Sequence, residues 1–431
     1  MKIYNYPSKS AEARITAIVN RGLRFQKKDF LTVTRILEDV RKNKDRALIR
    51  YVNQFDAPGL TGETLAVTKT EFDQAAKQVD RAFVRSLHRS ADQIESFHRQ
   101  QLEKSWIRTD RPGIVLGQLV TPVSAAGIYV PGGKGGTTPL VSSVLMGGIP
   151  ARIAGVKRIA MVTPPMADGT VNPHLLVAAR KVGVDAVYKV GSAWAVAALA
   201  YGTETIAKVD VIVGPGNIYV TLAKKIVAGT VGIDIIAGPS EILIVADGRA
   251  DPDFIAADLL SQAEHDVLAS SILLTTCPKM AAAVLEALKT QTGRLARKDI
   301  AGQALRKFGA ILVVPDIAAA LELANRIAPE HLELQIENPF EYLGGIRNAG
   351  AVFLGPYATE PVGDYMAGPN HVLPTAGTAR FASALSVAAF IKKTSLIYYS
   401  EQAFRREAGD IIRLAEIEGL DAHANAVKVR L

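Results

Sequence analysis

Two textures of hydrophobic patterning divide the chain. Before residue 110 apolar residues recur at helical spacing. Phe72, Ala76, Val79, Phe83, Leu87, Ile94 and Phe97 predict one face of a helix, with Arg81, Arg85, Arg89 and Arg99 on its wet side. Beyond residue 110 short β-branched apolar runs take over: AAGIYV (125–130), KRIAMVT (157–163), DVIVG (210–214), EILIVAD (241–247), SILLTT (271–276), AILVV (310–314) and AVFLG (351–355). Helical patterns separate them at 172–182, 193–202, 217–228, 252–265, 278–290 and 316–327. Such alternation predicts the α/β class, with parallel or mixed sheets covered by helices. The strands are too many for one open sheet, so two α/β domains are expected, joined near the GPS turn at 238–240. The pattern predicts a helical amino-terminal region over 1–110, a first α/β domain over 111–239, a second over 240–378, and a helical tail over 379–431.

Breaker usage supports the first boundary. Only 3 of 35 glycines (Gly22, Gly59, Gly62) and 2 of 21 prolines (Pro7, Pro58) precede residue 104. Of 431 residues, 48% are hydrophobic and 21% charged, the composition of an ordinary globular protein. Cys277 is the only cysteine, which excludes a disulfide scaffold and every multi-cysteine zinc motif and fits a reducing cytoplasm. The opening MKIYNYPSKS has no apolar run of a secretory signal, and no stretch approaches the ~18 apolar residues of a membrane span. The net charge of +8 raises the question of an anionic partner. Residues 1–103 hold 19 of the 50 Lys and Arg and 13 of the 42 Asp and Glu, a net of +6, leaving +2 on all the rest. With no aromatic residues interleaved among those cations, a solvated helix face is the expectation, not nucleic-acid binding.

Candidate chemistry lies elsewhere. Glycine-rich turns follow strands at YVPGGKGG (129–136), VGSAW (190–194) and VGPGN (213–217), where a ligand can approach the backbone and a helix amino terminus can meet an anion. None spells G-x-G-x-x-G, and each alone is equally a tight turn; together they outline a nucleotide-sized crevice. SQAEHD (261–266) puts Gln262 and His265 on one helix face, a spacing that suits either a metal or plain packing. Glu330 and His331, before an expected strand, are either general bases or a solvated pair. Asp364 is a candidate hard oxygen ligand, with His371 seven residues on, and Glu418 and His423 stand near the far end. From these residues alone the reading reaches a metal-containing α/β enzyme.

Seven segments, YVPGG, GPGN, GPSEIL, SQAEHD, RIAPEHLEL, GDYMAGPNHVLPT and EGLDAH, resemble the signature segments of the histidinol dehydrogenase family, and the resemblance runs from about residue 20 to the end. It implies two incomplete Rossmann-like, three-layer α/β/α domains in a homodimer whose sites are shared between subunits. It also implies one zinc per subunit and two successive NAD-dependent oxidations of L-histidinol through L-histidinaldehyde to L-histidine, the last step of histidine biosynthesis. Carried over, the zinc ligands are Gln262, His265, Asp364 and His423, the last given by the partner's tail together with Glu418, which meets the substrate amine. Ser240 and His331 complete the substrate contacts, and His371 is a supporting group. His331 is implied as the base that takes the alcohol proton and Glu330 as the group that activates water on the aldehyde. NAD contacts carry over as Tyr129, Trp194 and Asn217. At 194 the chain departs from the family, which usually has Gln there; an indole donates a single hydrogen bond and stacks. The competing reading is a paralogous zinc- and NAD-dependent dehydrogenase of another small polar alcohol.

Overall fold

The computed structural model describes residues 1–21 and 25–431. Two compact units emerge, Met1–Gln101 with Ser124–Phe390, and Leu102–Val123 with Ile391–Leu431. In chain order the strands are β1 (Ile3–Asn5), β2 (Trp106–Arg108), β3 (Ile114–Pro122), β4 (Ala125–Tyr129) and β5 (Arg158–Thr163). Then come β6 (Ala186–Lys189), β7 (Val211–Val213), β8 (Gly232–Ile233), β9 (Glu241–Ala246) and β10 (Ser270–Thr275). The last are β11 (Ala310–Val313), β12 (His331–Gln335), β13 (Ala351–Leu354) and β14 (Ile391–Tyr399).

The first unit holds two wholly parallel sheets, ordered β6-β5-β4-β7-β8 and β1-β11-β10-β9-β12-β13. Leaving β1 aside, each runs 3-2-1-4-5 in its own sequence order, the doubly wound arrangement that reverses direction between its first and fourth strands. Every residue of β9 and β10 is buried, as continuous apolar runs in a sheet covered on both faces must be. Helix starts follow from local chemistry: Asn172 and Asp251 accept from the backbone of the first turn, each followed by a proline at the first helical position. The helix Ser192–Tyr201 is apolar on all sides and buried from Ala193 to Ala200. It lies between the first sheet and the long amino-terminal helix Lys27–Phe55.

The structure divides the helix predicted around Phe72–Phe97 into two, Lys69–Gln78 and Arg81–Arg99. Asp80 is the reason: its carboxylate accepts the Phe83 N–H at 2.7 Å and starts a new helix. Arg81, Arg85, Arg89 and Arg99 are exposed, as the pattern implied.

The second unit takes residues 102–123, which patterning assigns to the amino-terminal region and first domain, and pairs them with the tail. Its sheet is antiparallel, β14-β3-β2, with β14 and β3 in register from Ile391–Pro122 to Tyr399–Ile114. The expected helical tail therefore opens with a nine-residue strand before the helices Glu401–Ile417 and Asp421–Lys428. Ile411, Leu414, Ile417 and Leu420 of this tail are exposed. Among the described residues no helix is long and apolar enough to cross a membrane.

Candidate active site

A cavity of about 330 Å³ opens between the two sheets of the first unit. Pro131, Pro215 and Gly216, which follow β4 and β7, form one wall; Ser240, Glu330 and His331, at the starts of β9 and β12, form the other. Gln262, His265, Glu360, Asp364 and His371 complete it. The carboxyl ends of the first sheet thus face the amino ends of the second.

Glu330 and His331 are both buried where β12 begins beside β9. Glu241 holds them. Its N–H donates to Glu330 Oε2 at 2.9 Å, and its carboxylate accepts the Glu330 N–H at 3.2 Å. Its carbonyl oxygen lies 2.9 Å from His331 Nδ1. A carbonyl only accepts, so Nδ1 carries the proton and Nε2 is left with its lone pair. Burial draws the His331 imidazole down to about 4, although the Glu241 carbonyl favours the charged ring. The ring is therefore neutral and able to accept a proton at neutral pH. Burial also pushes Glu330 well above the carboxylate range, against the Glu241 N–H bond, and the charges of Glu241 and Asp364 add to the shift. Burial thus favours the neutral acid and makes the ionised form a stronger proton acceptor.

Beside this pair, ligand atoms of His331, Glu360 and Asp364 lie within 4.8 Å of one another. Glu360 and Asp364 begin and nearly end the short helix Glu360–Tyr365. Burial and the neighbouring Asp364 raise Glu360 to about 8. Asp364 goes the other way: burial would raise it, but His371, with Nδ1 3.4 Å from Oδ1, holds it below the usual value. Two carboxyls thus divide one charge, as neighbouring acids do. Gln262 is 1% exposed, and both polar atoms of its carboxamide are without a hydrogen-bond partner. It comes near enough to Glu360 to favour that carboxylate without reaching hydrogen-bond geometry. An orphaned buried amide is costly until something coordinates it. His265 follows at the carboxyl end of the helix Pro252–Ala263, its side chain open to the cleft. Burial by surrounding protein still lowers its imidazole, with Asp364 opposing. Nitrogen and oxygen donors so arranged fit a divalent cation.

Of the expected cofactor contacts, Tyr129 ends β4 and its hydroxyl accepts the Ser192 N–H at 3.0 Å. Asn217 caps the helix Ile218–Val227 through Oδ1, at 3.0 Å from Tyr219 N and 3.1 Å from Val220 N, which leaves its amide N–H₂ in solvent. Gly214 beside it sits at φ +113, and a Cβ there would fall 2.1 Å from the Tyr129 carbonyl oxygen. Trp194 is 6% exposed, stacks against Tyr51 and Phe55 with ring centroids 5.5 Å from each, and donates from Nε1 to Asp56 at 3.2 Å. A large aromatic on an all-apolar helix is drawn into the core against the amino-terminal helix. Glu418 and His423 belong to the second unit, both exposed, on its final two helices.

Comparison with known proteins agrees with the motifs. A family model described as histidinol dehydrogenase matches residues 21–431. The chain belongs to the histidinol dehydrogenase family. It is 54% identical over 427 residues to a histidinol dehydrogenase of Desulfotalea psychrophila, covering 98% of each chain. It is 54% identical over 399 residues to that of Clostridium acetobutylicum, covering 93% of this chain and 91% of the relative. The crystal structure of a histidinol dehydrogenase from Elizabethkingia anophelis superposes with a TM-score of 0.93 at 40% identity, covering 100% of this chain and 98% of the other. The histidinol dehydrogenase family consists of oxidoreductases, so the chain is an enzyme of that class. Sequence reading passed over two residues of the site. Glu360 lies in TEPVGDY, which has no periodicity to flag it, and Glu241 is hidden at the head of an apolar strand run.

Proposed function

We propose that the chain oxidises L-histidinol to L-histidine in two NAD-dependent steps through L-histidinaldehyde. The Glu330–His331 pair carries this reading: a neutral imidazole with its free nitrogen available and a buried carboxyl beside it, in a cavity where two sheets meet. His331 Nε2 takes the proton of the substrate hydroxyl, and the Nδ1–H to Glu241 carbonyl bond stabilises the imidazolium that results. Glu330 takes a proton from water as that water adds to the aldehyde carbon, and the His331 imidazolium returns its proton to the carbonyl oxygen, which gives the neutral hydrate and a neutral ring. His331 then accepts the hydrate's hydroxyl proton in the second oxidation. NAD, when bound against Tyr129 and Asn217, supplies the hydride acceptor for both steps. Zinc, when bound, supplies a fixed anchor for the substrate's amine and imidazole. Gln262, His265 and Asp364 would hold it, with the partner subunit's His423 completing the set. Ser240, half-buried in the cavity wall, adds a substrate contact, and Glu418 receives the amine.

The tail supports a homodimer: exposed Leu414, Ile417 and Leu420 form a stripe that a second copy would cover. Cys277, free and partly buried, fits a cytoplasmic protein. Of the domains expected over 111–239 and 240–378, residues 124–239 serve as the cofactor half and 240–378 as the chemistry half. The decisive experiment counts NADH. Two per histidinol is expected, with no turnover of other amino alcohols; absence of turnover with histidinol rejects the reading. Mixing inactive His423→Ala with inactive His265→Ala chains should restore activity in mixed dimers, and no recovery rejects the shared site.

A further inference from the structure

A buried ion pair behind the site is not accounted for by that reading. Arg21, from the amino-terminal arm, meets Glu241 at 2.5 Å, their side chains 2% and 5% exposed. Arg21 is fixed further by the Ile18 carbonyl at 3.1 Å and the Leu268 carbonyl at 3.3 Å. All four polar atoms of Glu241 are engaged. Oε1 accepts from Arg21 and from the Ala376 N–H at 3.1 Å, while Oε2 accepts the Glu330 N–H. The backbone N–H holds the Glu330 carboxylate and the backbone carbonyl holds His331 Nδ1. Three of the four therefore act on the two residues of the chemistry. Strand β9 is otherwise apolar from Ile242 to Ala246, and an apolar side chain at its head would avoid the desolvation of a buried carboxylate and guanidinium.

We propose that Arg21 and Glu241 are positioning residues. The cation of the arm fixes the Glu241 carboxylate, and Glu241 fixes the carboxylate of Glu330 and the tautomer and direction of His331. The proposal rests on Glu330 and His331 being the reacting groups. Displacement of a reacting group by about 1 Å costs up to ~100-fold in rate. In the full-length enzyme, Glu241→Gln and Arg21→Met should each lower kcat on histidinol by about 30-fold, with the KM for histidinol changed by less than about threefold. Arg21→Lys, which keeps the charge, should recover most of the loss. In a Glu330→Gln background Glu241→Gln should add less than its full loss, because part of its effect passes through the residue already replaced. Melting midpoints establish that each variant is folded. Should a single variant fail to fold for want of its buried counter-charge, Arg21→Met/Glu241→Gln, which removes both charges, carries the same comparison. Folded variants that keep kcat within twofold of the parent, or a loss from Glu241→Gln that multiplies fully with that of Glu330→Gln, overturn the proposal. A parent chain that does not reduce NAD with histidinol overturns the underlying reading instead.

Discussion

The two sheets of the first unit share one strand order but meet the cavity with opposite ends. The first follows the rule for doubly wound sheets and offers its carboxyl edge, where the strands' order reverses and a helix amino terminus, at Asn217, faces outward. The second offers its amino edge, with Ser240, Glu330 and His331 leading β9 and β12. There the helix Pro252–Ala263 returns its carboxyl end, carrying Gln262 and His265. A helix has a partial positive charge at its amino end and a partial negative charge at its carboxyl end. One wall thus suits an anionic dinucleotide and the other a cation. The same topology, used from either end, presents opposite partial charges.

Experiments can break that division. The largest effect is expected on the second wall: His331→Asn should lower the first oxidation about 10³-fold and leave NAD binding unchanged, measured by single-turnover NADH formation and NAD titration. A parallel loss of NAD affinity would mean the two walls are not separable. Glu330→Gln should spare the first oxidation and slow the second about 10²-fold, so that the early NADH yield falls from two per histidinol toward one. On the first wall the effects should be on stability and cofactor affinity, not on chemistry. Trp194→Gln removes a buried indole from its stack and should lower stability by about 3 kcal/mol in urea denaturation while moving the KM for NAD less than Asn217→Ala does. Asn217→Ala removes a helix cap worth about 1 kcal/mol and should raise the KM for NAD severalfold.

The smallest effect is a pH slope at Asp56. Burial raises its carboxyl to about 6, with the Trp194 and Gly191 hydrogen bonds opposing. The folded chain therefore keeps a proton that the unfolded chain, titrating near 3.8, has already lost. Stability should fall as pH rises from about 4 to about 6 and then level off. Asp56→Asn should flatten that slope in melts taken across the range; an unchanged slope would place its origin elsewhere.

Much of this arrangement is legible in the sequence because it is local. Strand runs such as EILIVAD and SILLTT sit where β9 and β10 form, and an i, i+3 spacing suffices to put Gln262 and His265 together. What was not legible depends on distant partners. IKKTSLIYY reads as a strand only beside residues 114–122, far back in the chain. Glu360 meets Asp364 one helical turn on, but joins His331 and Gln262 only once the chain has folded. The indole of Trp194 finds its packing only in Tyr51 and Phe55, well over a hundred residues earlier in the chain.

Strand β1 has an implication for synthesis. Ile3 to Asn5 pair with Ile311 to Val313, and the helix behind them buries Ala11, Ile15 and Ile18 in the core of that same sheet. Strand β1 and its helix are thus without a docking place until the chain has been made as far as β11. Throughout that interval an apolar helix face stays uncovered, open to wrong partners and to chaperones. Strand β1 and the helix behind it are among the last parts of the first unit that can be finished.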